Sequence, residues 1–313
     1  MKFELTILGC GSAVPTIQRN AAAQVLNVLE RYFLIDCAEG TQQQLRRFKI
    51  PYNRISHIFI SHLHGDHFFG LIGLLSSFSM QNRQEEIHIY ADSRLQSIIE
   101  FQLKMMDSQL NYPLVFHHLD GVSGLIYEDR LVTVQAFPLK HRREAPVSGF
   151  LFAEKEKERM IRRDMTDAFE VPVAFMHRLK KGEDYVTPDG EVIANSRLTQ
   201  VPPPPRSYAY LTDTIFQPSF AEYVKGVDLL YHESTYGNEF ADLAKKTYHS
   251  TAVQAAQLAR LAGAKRLLLG HFSSRYPDPT PLLEQARVVF PDTDLCYDGA
   301  VFSIPASKRE RVS

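Results

Sequence analysis

The chain has 313 residues, 44% of them apolar, 23% charged and 11% aromatic, which excludes disordered and fibrous classes and leaves one or two layered domains. A formal net charge of -1 and a pI near 6.9 exclude a globally basic nucleic-acid binder, so a polyanionic partner would have to meet a local basic patch. Three widely spaced cysteines in apolar segments (Cys10, Cys37, Cys296) argue against a disulfide framework or a Cys-type zinc site, and no apolar run nears the ~20 residues of a membrane span; a cytoplasmic location is expected.

Three β-rich runs open the chain, Phe3 to Leu8, Gln24 to Leu29 and Tyr32 to Cys37, with Gly9, Gly11 and Pro15 marking the first loop. Gly40 to Phe48 reads as a short helix, Ile55 to Ile60 as a buried strand, Phe68 to Met80 as a helix with one apolar face, and 93–106 as another helix. Short strands are expected at 114–118, 131–137 and 149–153. The composition then turns mostly charged from Ala153 to Gln200, with a helical part expected near 155–169 and a stiff closing connector, Pro202 to Pro205. Core signals resume at Tyr208 to Leu211, Asp228 to Tyr231, a helix over Thr251 to Ala262, Arg266 to Leu269, a helix near Leu282 to Val289, and a closing strand pair through Ala300 to Ile304. Strands alternating with helices predict a layered α/β fold.

Several apolar runs stop at a metal-ligating residue: IFISH at His62, AFPLKH at His141, YAYLTD at Asp213 and RLLLGH at His271. Strand ends and the loops that follow form the site-bearing edge of such sheets, so these residues could meet at one rim. In HLHGDH, His62 and His64 point the same way on an extended backbone, and Gly65 permits a bend that turns Asp66 and His67 into the same cavity. A single histidine after a strand is more often structural than ligating. Three imidazoles and a carboxylate within six residues have no use in packing, because protonating several together would be opposed by mutual repulsion. Adding His141, Asp213 and His271 gives seven nitrogen or oxygen donors, enough for two divalent ions with Asp213 between them and room for a shared water. The absence of thiolate favours zinc, manganese or iron.

HLHGDH resembles the HxHxDH signature of the metallo-β-lactamase superfamily. LGCGSAVP, LIDCAEGTQ, PLKH, TDT, HEST, YHST and GHFSSRY resemble ribonuclease Z over most of the chain. The resemblance implies a single αβ/βα sandwich domain over 1–313, two mixed sheets flanked by helices, with a protruding tRNA-binding arm inserted at about 154–200. It implies two zinc ions per subunit (manganese or iron as alternatives), one held by His62, His64 and His141, the other by Asp66, His67 and His271, and Asp213 bridging. It further implies removal of the 3′ trailer from precursor tRNA by metal-hydroxide attack on a phosphodiester, leaving a 3′-hydroxyl. Asp66 would orient the nucleophile, and His249, kept protonated by Glu233, would protonate the leaving oxygen. Asp36 is expected to fix a ligand histidine from behind.

Substrate contacts are expected from Arg19, Ser273 and Arg275, and from the arm cluster Arg178, Lys180 and Lys181, acting on phosphates without regard to sequence. Over 154–181, eight Lys or Arg face six acids, an excess of only two. The family also implies a homodimer and no membrane association. Two positions depart from the pattern: Ile17 stands at the lysine of the family loop PxKxRN, and the arm carries VPVAFMHRLKKGED in place of a glycine-proline motif. Small-substrate phosphodiesterases of the same superfamily are an alternative. Its di-iron oxidoreductases usually place Glu where His64 stands and add a flavin domain, and neither feature occurs here.

Overall fold

The computed structural model describes residues 2–141 and 146–306. Runs such as FELTILG and AQVLNV bury almost every side chain, as strands covered on both faces must. In chain order the strands are β1 Phe3–Gly9, β2 Ala23–Val28, β3 Arg31–Ile35, β4 Ile55–Phe59, β5 Ile87–Ala91 and β6 Leu114–His118, then β7 Gly124–Glu128, β8 Val132–Leu139 and β9 Val147–Glu154. Four two-residue strands follow, β10 Met160–Ile161, β11 Tyr185–Val186, β12 Val192–Ile193 and β13 Thr199–Gln200. The last are β14 Ser207–Leu211, β15 Leu229–Glu233, β16 Leu267–Gly270, β17 Thr293–Leu295 and β18 Val301–Ser303.

Two seven-stranded sheets result, ordered β18-β1-β2-β3-β4-β5-β6 and β17-β16-β15-β14-β9-β8-β7. Both are mixed. Strands β3 to β6 run parallel, as do β14 to β17, while β1 pairs antiparallel with β2 and β18. Aromatic rings from the two sheets meet face to edge or tilted, Phe59 against Phe150 and Phe33 against Phe152, each with centroids 5.5 Å apart. The helix Leu71–Met80 buries Leu71, Leu74, Leu75 and Phe78 on the outer face of the first sheet. Each such residue removed from water contributes roughly 1.5–3 kcal/mol. On the second sheet, the helix Ala252–Ala262 starts at a Thr251–Gln254 capping box and stops at Gly263 in the left-handed region.

Two expectations need correction, and one strand was not foreseen. The helix expected over Phe68 to Met80 is interrupted at Gly70, whose amide bonds the Cys37 carbonyl; a Cβ there would lie 2.0 Å from the Ala38 oxygen. The closing strands do not pair with each other: β18 joins β1 while β17 joins β16, because the turn through Gly299 at φ +88° carries the chain from one sheet to the other. The helical part expected near 155–169 is Arg163–Ala168, while Met160 and Ile161 pair with Gln200 and Thr199. Strand β7 has a half-exposed alternation too weak to be read in advance.

The residues fall into two compact units, 2–153 with 206–304 as the larger. The smaller is built on Glu154–Pro205 and has its own core of Val171, Leu179, Tyr185, Ile193 and Leu198. Buried Asn195 braces it by donating from Nδ2 to the carbonyls of Leu179 and Glu183. Among the described residues no helix is long and apolar enough to cross a membrane.

Candidate metal centre

The C-terminal ends of parallel strands from both sheets supply the site. His62 follows β4, Asp36 follows β3, Asp213 follows β14, Glu233 ends β15, and His271 follows β16. Asp36, Asp213 and His271 take positive φ angles of 55°, 34° and 57°, a cost that non-glycine residues bear where a site demands it.

Asp213 divides the ligand set. Its Oδ2 lies 3.6 Å from His62 Nε2 and 4.0 Å from His141 Nε2, and its Oδ1 lies 3.0 Å from His271 Nε2 and 3.3 Å from His67 Nε2. Asp66 Oδ2 is 3.7 Å from both His67 and His271. The donors accordingly cluster as His62, His64, His141 and Asp213 on one side and Asp66, His67 and His271 on the other; Asp213, His249 and His271 form a third overlapping set. His62 Nε2 and His64 Nδ1 stand only 2.9 Å apart. Nε2 of His67 and of His271 is buried without an acceptable hydrogen bond, although a carboxylate oxygen is near each. Buried polar atoms rarely go unsatisfied, and nitrogens aimed at a common point beside two carboxylates fit a divalent cation.

Hydrogen bonds from behind set the tautomers. Nδ1 of His67 donates to Asp36 Oδ2 at 2.7 Å, and His141 Nδ1 donates to the Tyr248 carbonyl at 3.0 Å. Ser61 Oγ donates to Asp36 and accepts a hydrogen bond from His62 Nδ1 at 3.0 Å. Thr235 Oγ1 donates to Glu233 Oε2 at 2.7 Å and faces His271 Nδ1 at 3.0 Å. Each bond leaves Nε2 free to ligate, the usual role of such partners. Asp36 also accepts from the Ser61 amide and the Tyr210 hydroxyl, and its side chain is fully buried.

Charge sorts the imidazoles. Burial pushes His62 and His141 down. Burial opposes charge on His67 and His271 as well, but Asp213 outweighs it, helped by Asp36 at His67, and His271 is pushed up to about 10. Asp66 and Asp213 are held low by these histidines against the opposing effect of burial. A cation entering this half would displace protons.

Buried Glu233 and partly exposed His249 form a second pair beside the cluster. His249 Nδ1 lies 2.9 Å from Glu233 Oε1, and its ring sits 4.9 Å from that of His141. Glu233 also accepts from the amides of Thr214, Ser250 and Thr235. Burial would lower the His249 pKa, but the Glu233 carboxylate outweighs it and raises it.

The other sequence candidates are placed differently. Arg19 is turned inward: it donates to the carbonyls of Tyr276 and Pro277 and lies over the Phe272 ring. Ser273 is also buried, its hydroxyl oxygen accepting the Arg275 amide, while Arg275 is exposed. In the smaller unit Arg178 pairs with Glu183 and Lys180 with Glu158, so much of that cluster's charge is balanced, and Lys181 is exposed. Sequence reasoning missed Ser61, Tyr210, Tyr248 and Thr235. Only Ser61 and Thr235 carried a signal, as hydroxyls inside ligand-bearing motifs.

A protein named ribonuclease Z from Bacteroides fragilis is 49% identical over 304 residues, covering 97% of this chain and 99% of that protein. The chain belongs to the ribonuclease Z family. The crystal structure of the short form of human tRNase Z superposes with a TM-score of 0.70 at 30% identity, covering 96% of this chain and 99% of that one. A metallo-β-lactamase fold protein, YhfI from Bacillus subtilis, aligns with a TM-score of 0.67 at 17% identity over 97% of this chain and all of that one, a likeness of fold. A family model described as anti-Pycsar protein Apyc1 matches residues 3–166. Within the ribonuclease Z family the two mixed sheets and the His/Asp cluster at their shared edge are the metallo-β-lactamase architecture.

Proposed function

We propose that this chain is a metal-dependent endoribonuclease that removes the 3′ trailer from precursor tRNA and leaves a 3′-hydroxyl. The observation that carries this is Asp213, whose two oxygens each face a separate cluster of imidazoles. His62, His64 and His141 would hold one zinc and Asp66, His67 and His271 the other, with Asp213 shared. Nitrogen and oxygen donors without thiolate also suit manganese or iron. Bound divalent ions would supply Lewis acidity, activating water at neutral pH and stabilising charge on the phosphate oxygens.

The protein's own groups complete the chemistry. Asp66 orients the nucleophile, its Oδ2 steadied by the Ala13 amide at 2.7 Å. His249, with Nδ1 committed to Glu233 and its pKa raised, holds a proton at Nε2 for the departing oxygen. The smaller unit would hold the tRNA body as an arm in a homodimer, with Lys181 and the partly paired Arg178 and Lys180 attracting phosphates. Incubation with a trailer-bearing precursor, with and without chelator, tests the activity: a metal-dependent cut that frees the trailer is expected, and an intact precursor would contradict it. Deleting 155–195 should abolish that cut while sparing a small aryl phosphodiester. Retained tRNA cleavage would remove the role of the arm, and hydrolysis of small diesters alone by the full chain would favour a small-substrate phosphodiesterase.

A further inference from the structure

The loop between β1 and β2 reaches the metal centre at one point, where the Ala13 amide donates to Asp66 Oδ2 at 2.7 Å. Ala13 has φ +60°, so the loop must be held firmly to present that N–H. Its neck is fastened from the far end of the chain. Asp298 Oδ2 accepts both the backbone amide and the Nδ2 of Asn20, each at 2.8 Å, and the Gln44 amide at 3.3 Å. Its Oδ1 faces the Cys10 thiol at 3.6 Å. Asn20 in turn accepts the Gly11 amide through its carbonyl at 2.9 Å, so one carboxylate ties both sides of the loop where it leaves the sheet.

Between neck and tip the loop has few other holds. Ser12 donates to the Phe272 carbonyl, Arg19 grips the 276–277 backbone, and Val14 and Ile17 are 64% and 100% exposed. A segment with so little buried area of its own depends on its anchors for a fixed position. Asp298 belongs to none of the His/Asp clusters of the centre and sits just before the turn at Gly299 that sends the chain to β18.

We propose that Asp298 is a positioning residue for Asp66: by fastening Asn20 it fixes the Cys10–Asn20 loop, whose Ala13 amide occupies Asp66 Oδ2 and sets the carboxylate's direction. Its effect travels through the loop, without contact to substrate. The inference rests on Asp66 serving as a metal ligand, and wild-type metal binding and hydrolysis are measured alongside it, so that failure of the metal centre itself is seen separately.

The experiment compares wild type, Asp298→Ala, Asp298→Asn and Asn20→Ala, each alone and with Asp66→Asn. Divalent-ion equivalents are read by chelator competition, and kcat and KM on a small aryl phosphodiester at saturating metal. Asp298→Ala and Asn20→Ala should weaken retention of one of the two equivalents about tenfold and lower kcat about tenfold, with KM nearly unchanged. Asp298→Asn, which keeps an acceptor for Asn20, should recover most of both. In the Asp66→Asn background the same substitutions should add less than about twofold, because the route through Asp66 is already cut. Wild-type retention and kcat in folded Asp298→Ala would overturn the proposal, as would a full additional tenfold loss in the Asp66→Asn background. Should Asp298→Ala fail to fold, Asn20→Ala carries the same two outcomes.

Discussion

Nδ1 of His67 donates a 2.7 Å hydrogen bond to Oδ2 of Asp36, and neither side chain touches solvent. The bond fixes the ring so that Nε2 faces Asp213 and Asp66. Asp36→Asn keeps the shape but removes the charge and offers an amide to a crowd of donors. If Asp66, His67 and His271 hold a divalent ion as proposed, its affinity should fall 10- to 100-fold. Competition with a chromogenic chelator measures this, and an unchanged affinity would mean that Asp36 is only a structural brace.

The leaving group tests His249. If it protonates the departing oxygen, His249→Ala should cost about 10²–10⁴ in kcat on a tRNA precursor, whose alkoxide leaves poorly. An aryl phosphodiester with an acidic phenol needs no such proton, so its loss should be much smaller at equal metal content. Equal losses on both substrates would show that His249 acts through the metal centre instead.

Glu233 accepts five hydrogen bonds, from three backbone amides, the Thr235 hydroxyl and His249. Glu233→Gln turns one acceptor into a donor facing N–H groups, leaving buried donors unsatisfied at about 1–3 kcal/mol. Thermal unfolding should register a Tm lower by several degrees. An unaltered Tm would require the pocket to rearrange around the amide.

Away from the centre, His57 stacks on His88 with ring centroids 4.8 Å apart, and the rings of Phe33, Tyr127 and Tyr90 lie against it. Burial first, then the nearby His88 and His117, push its pKa down to about 4, against a weaker opposing pull from Asp129. The unfolded chain takes up this proton near pH 6.5 and the folded chain only near 4, so stability is complete above about 6.5 and declines as pH falls toward 4. The loss amounts to at most about 3 kcal/mol. His57→Gln should flatten the denaturation midpoint between pH 6.5 and 4, and an unchanged acid slope would assign the effect elsewhere.

The donor clusters that could hold a metal are legible in the sequence because metal chemistry imposes spacing and a strand end imposes position. His62, His64, Asp66 and His67 declare themselves by crowding, while His141, Asp213 and His271 are visible only as the polar residues that stop apolar runs. Of their supports, Asp36 is legible as a carboxylate at a strand end, while most of the others are not. Tyr210 reaches Asp36 across 174 residues, and the Tyr248 carbonyl meets His141 only because Tyr248 adopts φ +58°. In sequence Arg19 is a loop cation available to phosphate, and its hold on two backbone carbonyls is visible only in the structure. Likewise Gly70 splits a helix for a reason that lies in Ala38, far from it in sequence.

Metal content decides the central claim most directly. Protein stripped with chelator and reloaded with zinc should retain two ions per chain by elemental analysis, and His64→Ala and His271→Ala should each retain about one, with hydrolysis of precursor tRNA lost in both. Tight-binding stoichiometry of zero in folded wild type, or full activity in the stripped protein, would contradict the account.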